Sequence, residues 1–276
     1  MGDAAAERVV VTVDNGVAVV RLNRPDKRNA LDGAMFTGIA RAGAALVDRT
    51  DVRAVVVTGE GPSFCAGLDF SSFAAMAGGG GADDGTGEGS PGSMAPGRIT
   101  HLGQQVAWVW QEIKVPVIAA VHGHALGGGL QIALGADIRI VHPATQMSVR
   151  EVYWGLVPDM TGTHFLSQLV RPDVAMELTV TARIFSGTEA HALGLATRLS
   201  ETPLDDALAL ARQIAANSPH AVRGAKELFS TIGGQGAAEH FADERRVIGA
   251  LVGSPNQVEA VMSGLQKRPA DYSDVD

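Results

Sequence analysis

The stretch Gly123-His124-Ala125-Leu126-Gly127-Gly128-Gly129-Leu130-Gln131-Ile132-Ala133-Leu134-Gly135-Ala136-Asp137 decides the fold. An apolar run, Val117 to Val121, feeds it from the N-terminal side, and a helical pattern starts inside its triple glycine. The reading is strand, glycine turn, helix. Glycine lets a ligand approach the main chain closely. The first turn of a helix leaves N–H groups unpaired beside the positive end of its dipole. Such a place suits an anion, or an oxygen that becomes anionic during a reaction.

Working outward, Val9 to Val13 and Val17 to Leu22 flank Asp14-Asn15-Gly16 and predict a β-hairpin, because Asn-Gly takes the positive φ angles of a tight turn. Asp32 is placed to cap a helix over Gly33 to Val47. Arg53 to Thr58 reads as a buried strand, broken by Gly59, Gly61 and Pro62. Ala77 to Gly97 is rich in glycine and acidic residues and predicts a mobile loop. It is either a lid over a ligand or a plain insertion. A helix is expected over Ile99 to Ile113, strands over Val117 to Val121 and Ile138 to Val141, and a helix over Gly128 to Leu134. Strand-then-helix units argue for an α/β class. From Thr161 onward the pattern is helical, with candidates at Ala207 to Ala216, Val222 to Leu228 and Val258 to Leu265, and no evident strand.

The totals bound the function. A chain of 276 residues, 46% hydrophobic, can bury a sizeable core. Net charge of −8 argues against general nucleic-acid or anionic-membrane binding. The single cysteine, Cys65, permits no intrachain disulfide. No apolar run reaches the roughly 20 residues of a membrane span, and Met1 to Arg8 does not read as a secretory signal, so a cytoplasmic location is expected.

Two glycine turns each follow a strand: Ala66-Gly67-Leu68 and Gly127-Gly128-Gly129. N–H groups from both can converge on one carbonyl oxygen; the alternative is two ordinary tight turns. Arg150 to Asp159 carries two carboxylates, Glu151 and Asp159, among apolar residues. A carboxylate in an apolar pocket exchanges protons near neutrality. The alternative is a surface ion pair between Glu151 and Arg150. His122 and His124 lack further candidate ligands, so no metal is expected. Cys65, Ser63 and Ser148 have no evident catalytic partners. Trp108, Trp110, Tyr153 and Trp154 read as core or pocket walls.

Several runs together resemble the enoyl-CoA hydratase/isomerase (crotonase) superfamily. They are Leu22 to Leu31 (LNRPDKRNAL), Phe64 to Asp69 (FCAGLD), His122 to Gly129 (HGHALGGG), Glu151 to Pro158 and Ala182 to Ala196. The resemblance extends to about Pro269. It implies a spiral of ββα units over residues 1–200 and a helical C-terminal region, 201–276, that makes trimers or hexamers. It implies an acyl-CoA thioester as substrate, with coenzyme A entering as part of it and no separate cofactor. By position, the N–H groups of Leu68 and Gly128 would form an oxyanion hole, and Gly127 lies in the same turn. Arg28, Ala30, Ala66, Asp69 and Phe70 fall where the family contacts coenzyme A. Lys267 and Arg268 match a C-terminal basic pair that suits its phosphates, in some members from a neighbouring subunit.

The departures matter as much. Hydratases of the family use two glutamates to hold a water. Glu151 occupies the second position, but the first is Gln131, an amide that neither gains nor loses a proton at useful pH. Gln131 is left the role of positioning water or substrate. Asp159 falls where the dienoyl-CoA isomerases carry a second acid/base carboxylate, although those enzymes have an aspartate at the Gln131 position. The resemblance therefore implies an enzyme that shifts a double bond, with Glu151 and Asp159 moving the protons. Hydration of a 2-enoyl-CoA in fatty-acid β-oxidation is one alternative, and a non-catalytic CoA-thioester-binding homologue another. A nucleotide-binding dehydrogenase fails, because no G-x-G-x-x-G lies within an early βαβ unit.

Overall fold

A computed structural model describes residues 7–69, 92–95, 97–231, 250 and 254–274. Most of the expected 77–97 loop, residues 77–91 and 96, lies outside the described residues.

The chain opens with strands β1 (Val9–Asp14) and β2 (Val17–Leu22), paired antiparallel. Asn15 and Gly16 make the turn at φ 48° and 77°, a conformation that asparagine tolerates and glycine, lacking a Cβ, adopts freely. Helix α1 (Gly33–Val47) is capped by Asp32, which accepts from Met35 N–H at 2.8 Å. Strand β3 (Ala54–Gly59) follows. Helix α2 (Leu102–Glu112) starts three residues later than the sequence pattern suggests. His101 and Gln104 cap each other's main-chain N–H there, which fixes the start. Then come β4 (Val117–Val121), β5 (His124–Leu126), α3 (Gly128–Leu134), β6 (Ile138–Val141) and β7 (Gln146–Ser148). The remainder is α4 (Gly162–Leu169), α5 (Pro172–Thr181), β8 (Phe185–Ser186), α6 (Gly187–Leu193), β9 (Arg198–Leu199), α7 (Pro203–Ala215), α8 (Pro219–Thr231) and α9 (Pro255–Gln266).

The larger sheet runs β1-β2-β3-β4-β6-β9, parallel from β2 onward. The smaller runs β5-β7-β8, and bridges Cys65–Ala125 and Leu31–Leu68 continue the same side of the molecule. Each turn of chain thus gives one strand to the large sheet and one short extended piece to the small side. In the first three turns a helix follows. This is a spiral of ββα units, an α/β architecture.

Strands β3 and β4 are buried on both faces, which is why they read as unbroken apolar runs. Val55, Val57, Val117, Ala119 and Val121 face the main core under α1, α2 and α3. Ala54, Val56, Ile118 and Ala120 face a second core, covered by Ala207, Ala211 and Ala215 of α7. The expectation of no strand beyond Thr161 is corrected by β8 and β9, of two residues each. A two-residue strand is too short to display a period of two. Helices α7, α8 and α9 begin three or four residues before their expected starts, because a proline occupies the first helical position of each.

Lys226 pins α8 to the core. Its ammonium donates to Trp110 O (2.9 Å), Val115 O (2.9 Å) and Asp137 Oδ2 (2.8 Å) while only 9% exposed. Burial pulls its pKa down, and Asp137 opposes that. Replacing Lys226 by Met strands two carbonyls and takes the ammonium from the Asp137 carboxylate, which keeps the Val117 N–H. It is expected to cost about 3 kcal/mol in chemical denaturation; an unchanged midpoint would show that the three contacts contribute nothing.

Candidate active site

Two main-chain turns come together because the pieces leading into them are paired. Cys65 N–H donates to His124 O (2.9 Å) and Leu126 N–H to Cys65 O (3.1 Å). Gly67 sits at φ +89°, and a Cβ there would stand 2.6 Å from Leu126 O and 3.9 Å from Gly128 N. A Cβ on Gly129 would stand 2.2 Å from Cys65 O. Only glycine permits this approach at either position.

Both turns present free donors. Leu31 N–H donates to Gly67 O (2.8 Å), and Asp69 N–H donates to Leu31 O (3.0 Å). In a parallel pairing of that kind the N–H of the intervening residue, Leu68, points away from the partner. It has no acceptor among the described residues. Gly128 is the first residue of α3, and its cap, Gly127, supplies no side-chain acceptor, so its N–H too has no acceptor among the described residues.

These turns border a cavity of about 630 Å³. Of the residues expected from the sequence, Arg28, Ala30, Ala66, Leu68, Asp69, Gly127, Gly128, Glu151 and Asp159 line it. Asp69 also holds Arg24 through an ion pair at 2.5 Å, so it braces the chain before the cavity as well as facing it. Phe70 lies outside the described residues. Lys267 and Arg268 do not line the cavity of their own chain, and Arg268 is paired with Glu259 at 2.5 and 2.8 Å.

Gln131, expected against substrate, is not among the residues lining the cavity and lies directly behind Glu151. It is 2% exposed. Its Oε1 accepts from Met160 N–H (2.9 Å) and Gly162 N–H (2.8 Å), and its Nε2 donates to Glu151 Oε1 at 2.5 Å. The helical face that carries Gly128 into the turn carries Gln131 inward, toward α4.

Glu151 begins a 3₁₀ turn, Glu151–Trp154, and is 9% exposed. Burial pushes its carboxyl above the ordinary carboxylate range; the Gln131 hydrogen bond opposes this and Asp159 adds to it. Its Oε2 is buried without a hydrogen-bond partner among the described residues. No ion pair joins Glu151 to Arg150. The Arg150 guanidinium donates to Ala182 O at 2.7 Å and lies 3.8 Å from the centre of the Tyr153 ring. Asp159 is exposed at the cavity's edge.

Other residues settle into plain roles. Trp110 is core and Trp154 lines the cavity, but Tyr153 is 60% exposed and does neither. Cys65 is buried, donates to Asn29 O, and has its thiol pushed up to about 12, so it is no nucleophile. Ser63 does have a partner: its hydroxyl lies 2.9 Å from His124 Nδ1. His124 lines the cavity beside Arg28, and burial, then Arg28, hold its pKa low. The Ser63–His124 contact joins residues 61 apart, and no local pattern signals it. Phe36, Gly103, Leu156, Met160 and Ile184 also line the cavity, and their scatter along the chain hides them from sequence reading.

Comparison with known proteins agrees with this geometry. The family model described as enoyl-CoA hydratase/isomerase matches residues 12–275. A short-chain-enoyl-CoA hydratase of Clostridium acetobutylicum is 31% identical over 94% of this chain and 95% of its own. The peroxisomal Δ(3,5)-Δ(2,4)-dienoyl-CoA isomerase of Arabidopsis thaliana is 32% identical over 78% of each. The crystal structure of an enoyl-CoA hydratase from Polaromonas sp. JS666 superposes with a TM-score of 0.85 at 26% identity, covering 96% of this chain and 99% of that one.

Proposed function

We propose, from the premise that this chain belongs to the enoyl-CoA hydratase/isomerase family and is an enzyme acting on acyl-CoA thioesters, that its reaction is the shift of a double bond along the acyl chain. The observation that carries the reading is the pairing of acids. Glu151 and Asp159 line one cavity with the two main-chain donors, and the Asp159 charge adds to the burial that raises the Glu151 carboxyl. Gln131, where a hydratase of the family would hold its first glutamate, is an amide that does not itself line the cavity.

In this reading the thioester oxygen sits between Leu68 N–H and Gly128 N–H. Glu151 Oε2 takes a proton from the acyl chain. The electron pair left behind delocalises onto that oxygen as a dienolate, which the two donors stabilise. Asp159 delivers a proton at a more distant carbon, the dienolate collapses, and the double bond has moved. One proton leaves and one arrives, so no oxidant, reductant or water is consumed. Arg28 and Lys27, at the mouth, suit the phosphates of coenzyme A. The basic pair Lys267 and Arg268 would have to act from a neighbouring subunit of a trimer or hexamer.

A spectrophotometric panel tests the reading. A 3,5-dienoyl-CoA gains conjugated absorbance when shifted to the 2,4-isomer, whereas crotonyl-CoA loses it on hydration. Hydration is the second reading, favoured by the hydratase names among the relatives; fast loss of crotonyl-CoA absorbance with inert dienoyl-CoA would establish it instead. Replacing Asp159 by Asn is expected to lower isomerase turnover roughly 10²-fold with acyl-CoA affinity little changed. Undiminished turnover would remove Asp159 from the mechanism.

A further inference from the structure

We propose that Gln131 is a positioning residue: it ties Glu151 Oε1 and so fixes the rotation of the carboxyl, leaving Oε2 as the oxygen that takes the substrate proton. The inference deepens the proposed isomerase reading, on which its kinetic arm rests.

The orientation of the amide is determined by its surroundings. Met160 N–H and Gly162 N–H both point at one atom of the Gln131 head group, and only its oxygen can accept from them. The nitrogen is thereby turned toward Glu151 Oε1, 2.5 Å away. A flip would set the NH₂ group against two N–H donors and turn the amide oxygen toward the Glu151 carboxylate, so the orientation is fixed. The Glu151 carboxyl therefore has one oxygen tied and one buried oxygen without a partner among the described residues. An untied carboxyl at the same place could rotate, and each rotation would misplace the accepting oxygen.

A purely structural role is the competing explanation. Thr161, the residue before α4, gives that helix no side-chain cap, and Gln131 Oε1 supplies the missing acceptor from another helix. Gln131 then serves the start of α4 and nothing more. The two explanations separate on Glu151, not on stability. The charged group acting on Glu151 is Asp159; the neighbouring Arg150 is engaged with Ala182 O and the Tyr153 ring.

The test uses the full chain with Gln131→Met, which keeps the volume and loses the bonds. The Glu151 carboxyl is titrated by infrared difference spectroscopy, its band assigned by its disappearance in Glu151→Gln. An N–H donor to the charged form favours that form, so removing it is expected to raise the Glu151 midpoint by about one pH unit. The acidic limb of kcat/KM should move with it, and kcat should fall at least about tenfold with KM within a factor of three. In the Glu151→Gln background the same replacement should cost almost nothing further in kcat. An unmoved Glu151 midpoint overturns the proposal, whatever happens to thermal stability. If Gln131→Met does not fold, Gln131→Glu keeps an acceptor for Met160 and Gly162. It sets a second carboxyl against Glu151, and the pair should then share a proton at a midpoint above the wild-type one; equality with wild type overturns the proposal there too. Absence of any double-bond shift in the wild type would end the isomerase reading. The infrared titration would still decide the role of Gln131.

Discussion

Replacing Glu151 by Gln is expected to reduce turnover of an unsaturated acyl-CoA by about 10²–10⁴-fold, with the affinity for a saturated acyl-CoA unchanged. The amide is nearly isosteric and cannot take a proton. It can still sit beside Gln131, so the cavity keeps its shape. The wild-type pH profile supplies a second check. A general base must be ionised, and burial holds the Glu151 carboxyl above its ordinary range. The fall in kcat/KM on acidification should therefore begin at a higher pH than for an ordinary glutamate, and Glu151→Gln should lack that limb. Full activity in the variant would remove Glu151 from the chemistry. A limb at the ordinary glutamate position would remove burial as the tuning cause.

The second large effect belongs to a residue with no side chain. Gly129→Ala would drive a Cβ to 2.2 Å from Cys65 O. That carbonyl cannot retreat freely, because it accepts from Leu126 N–H. The start of α3 has to move instead, and Gly128 N–H moves with it. Loss of one oxyanion donor is worth roughly 2.7–4 kcal/mol of barrier, or 10²–10³ in kcat. The overpacking should also cost about 1–3 kcal/mol of stability. Steady-state kinetics together with a thermal melt measure both. Loss of stability with kcat intact would mean that the Gly128 amide does not serve the reaction. No change in either would mean that the close approach of the two turns is not obligatory.

Much of this architecture is legible in the chain itself, for identifiable reasons. The hairpin, the cap at Asp32 and the strand-turn-helix at Val117–Leu134 are local, and each carries its own signal in turn chemistry or periodicity. Strands β3 and β4 were readable because burial on both faces leaves continuous apolar runs. The small sheet and the last strand of the large one were not readable: β5, β7, β8 and β9 have two or three residues each and exist through long-range pairing. At the site, the glycine turns and the acids were visible as residue types, and the resemblance to a family gave them places. The direction of the Gln131 amide was not visible. It depends on main-chain donors at 160 and 162, thirty residues further on, and on how α3 meets α4. Tyr153 shows the converse: an aromatic in an apolar run reads as core or pocket wall, yet it sits outside, beneath the Arg150 guanidinium.

The spiral itself has a bearing on how such a site changes over time. Leu68, Gly128 and Glu151 come from successive windings, so their separations are set by inter-strand ladders with a pitch near 4.8 Å and not by connecting segments. The ladder behaves as a ruler, with graduations untouched by what is threaded between them. Residues 70–91 join a point anchored by Asp69 N–H on Leu31 O to one anchored at the His101 cap. A change in the length of chain between those two anchors leaves the distance between the reacting parts as it is. The chemical step is thus insulated from whatever the chain does between its windings.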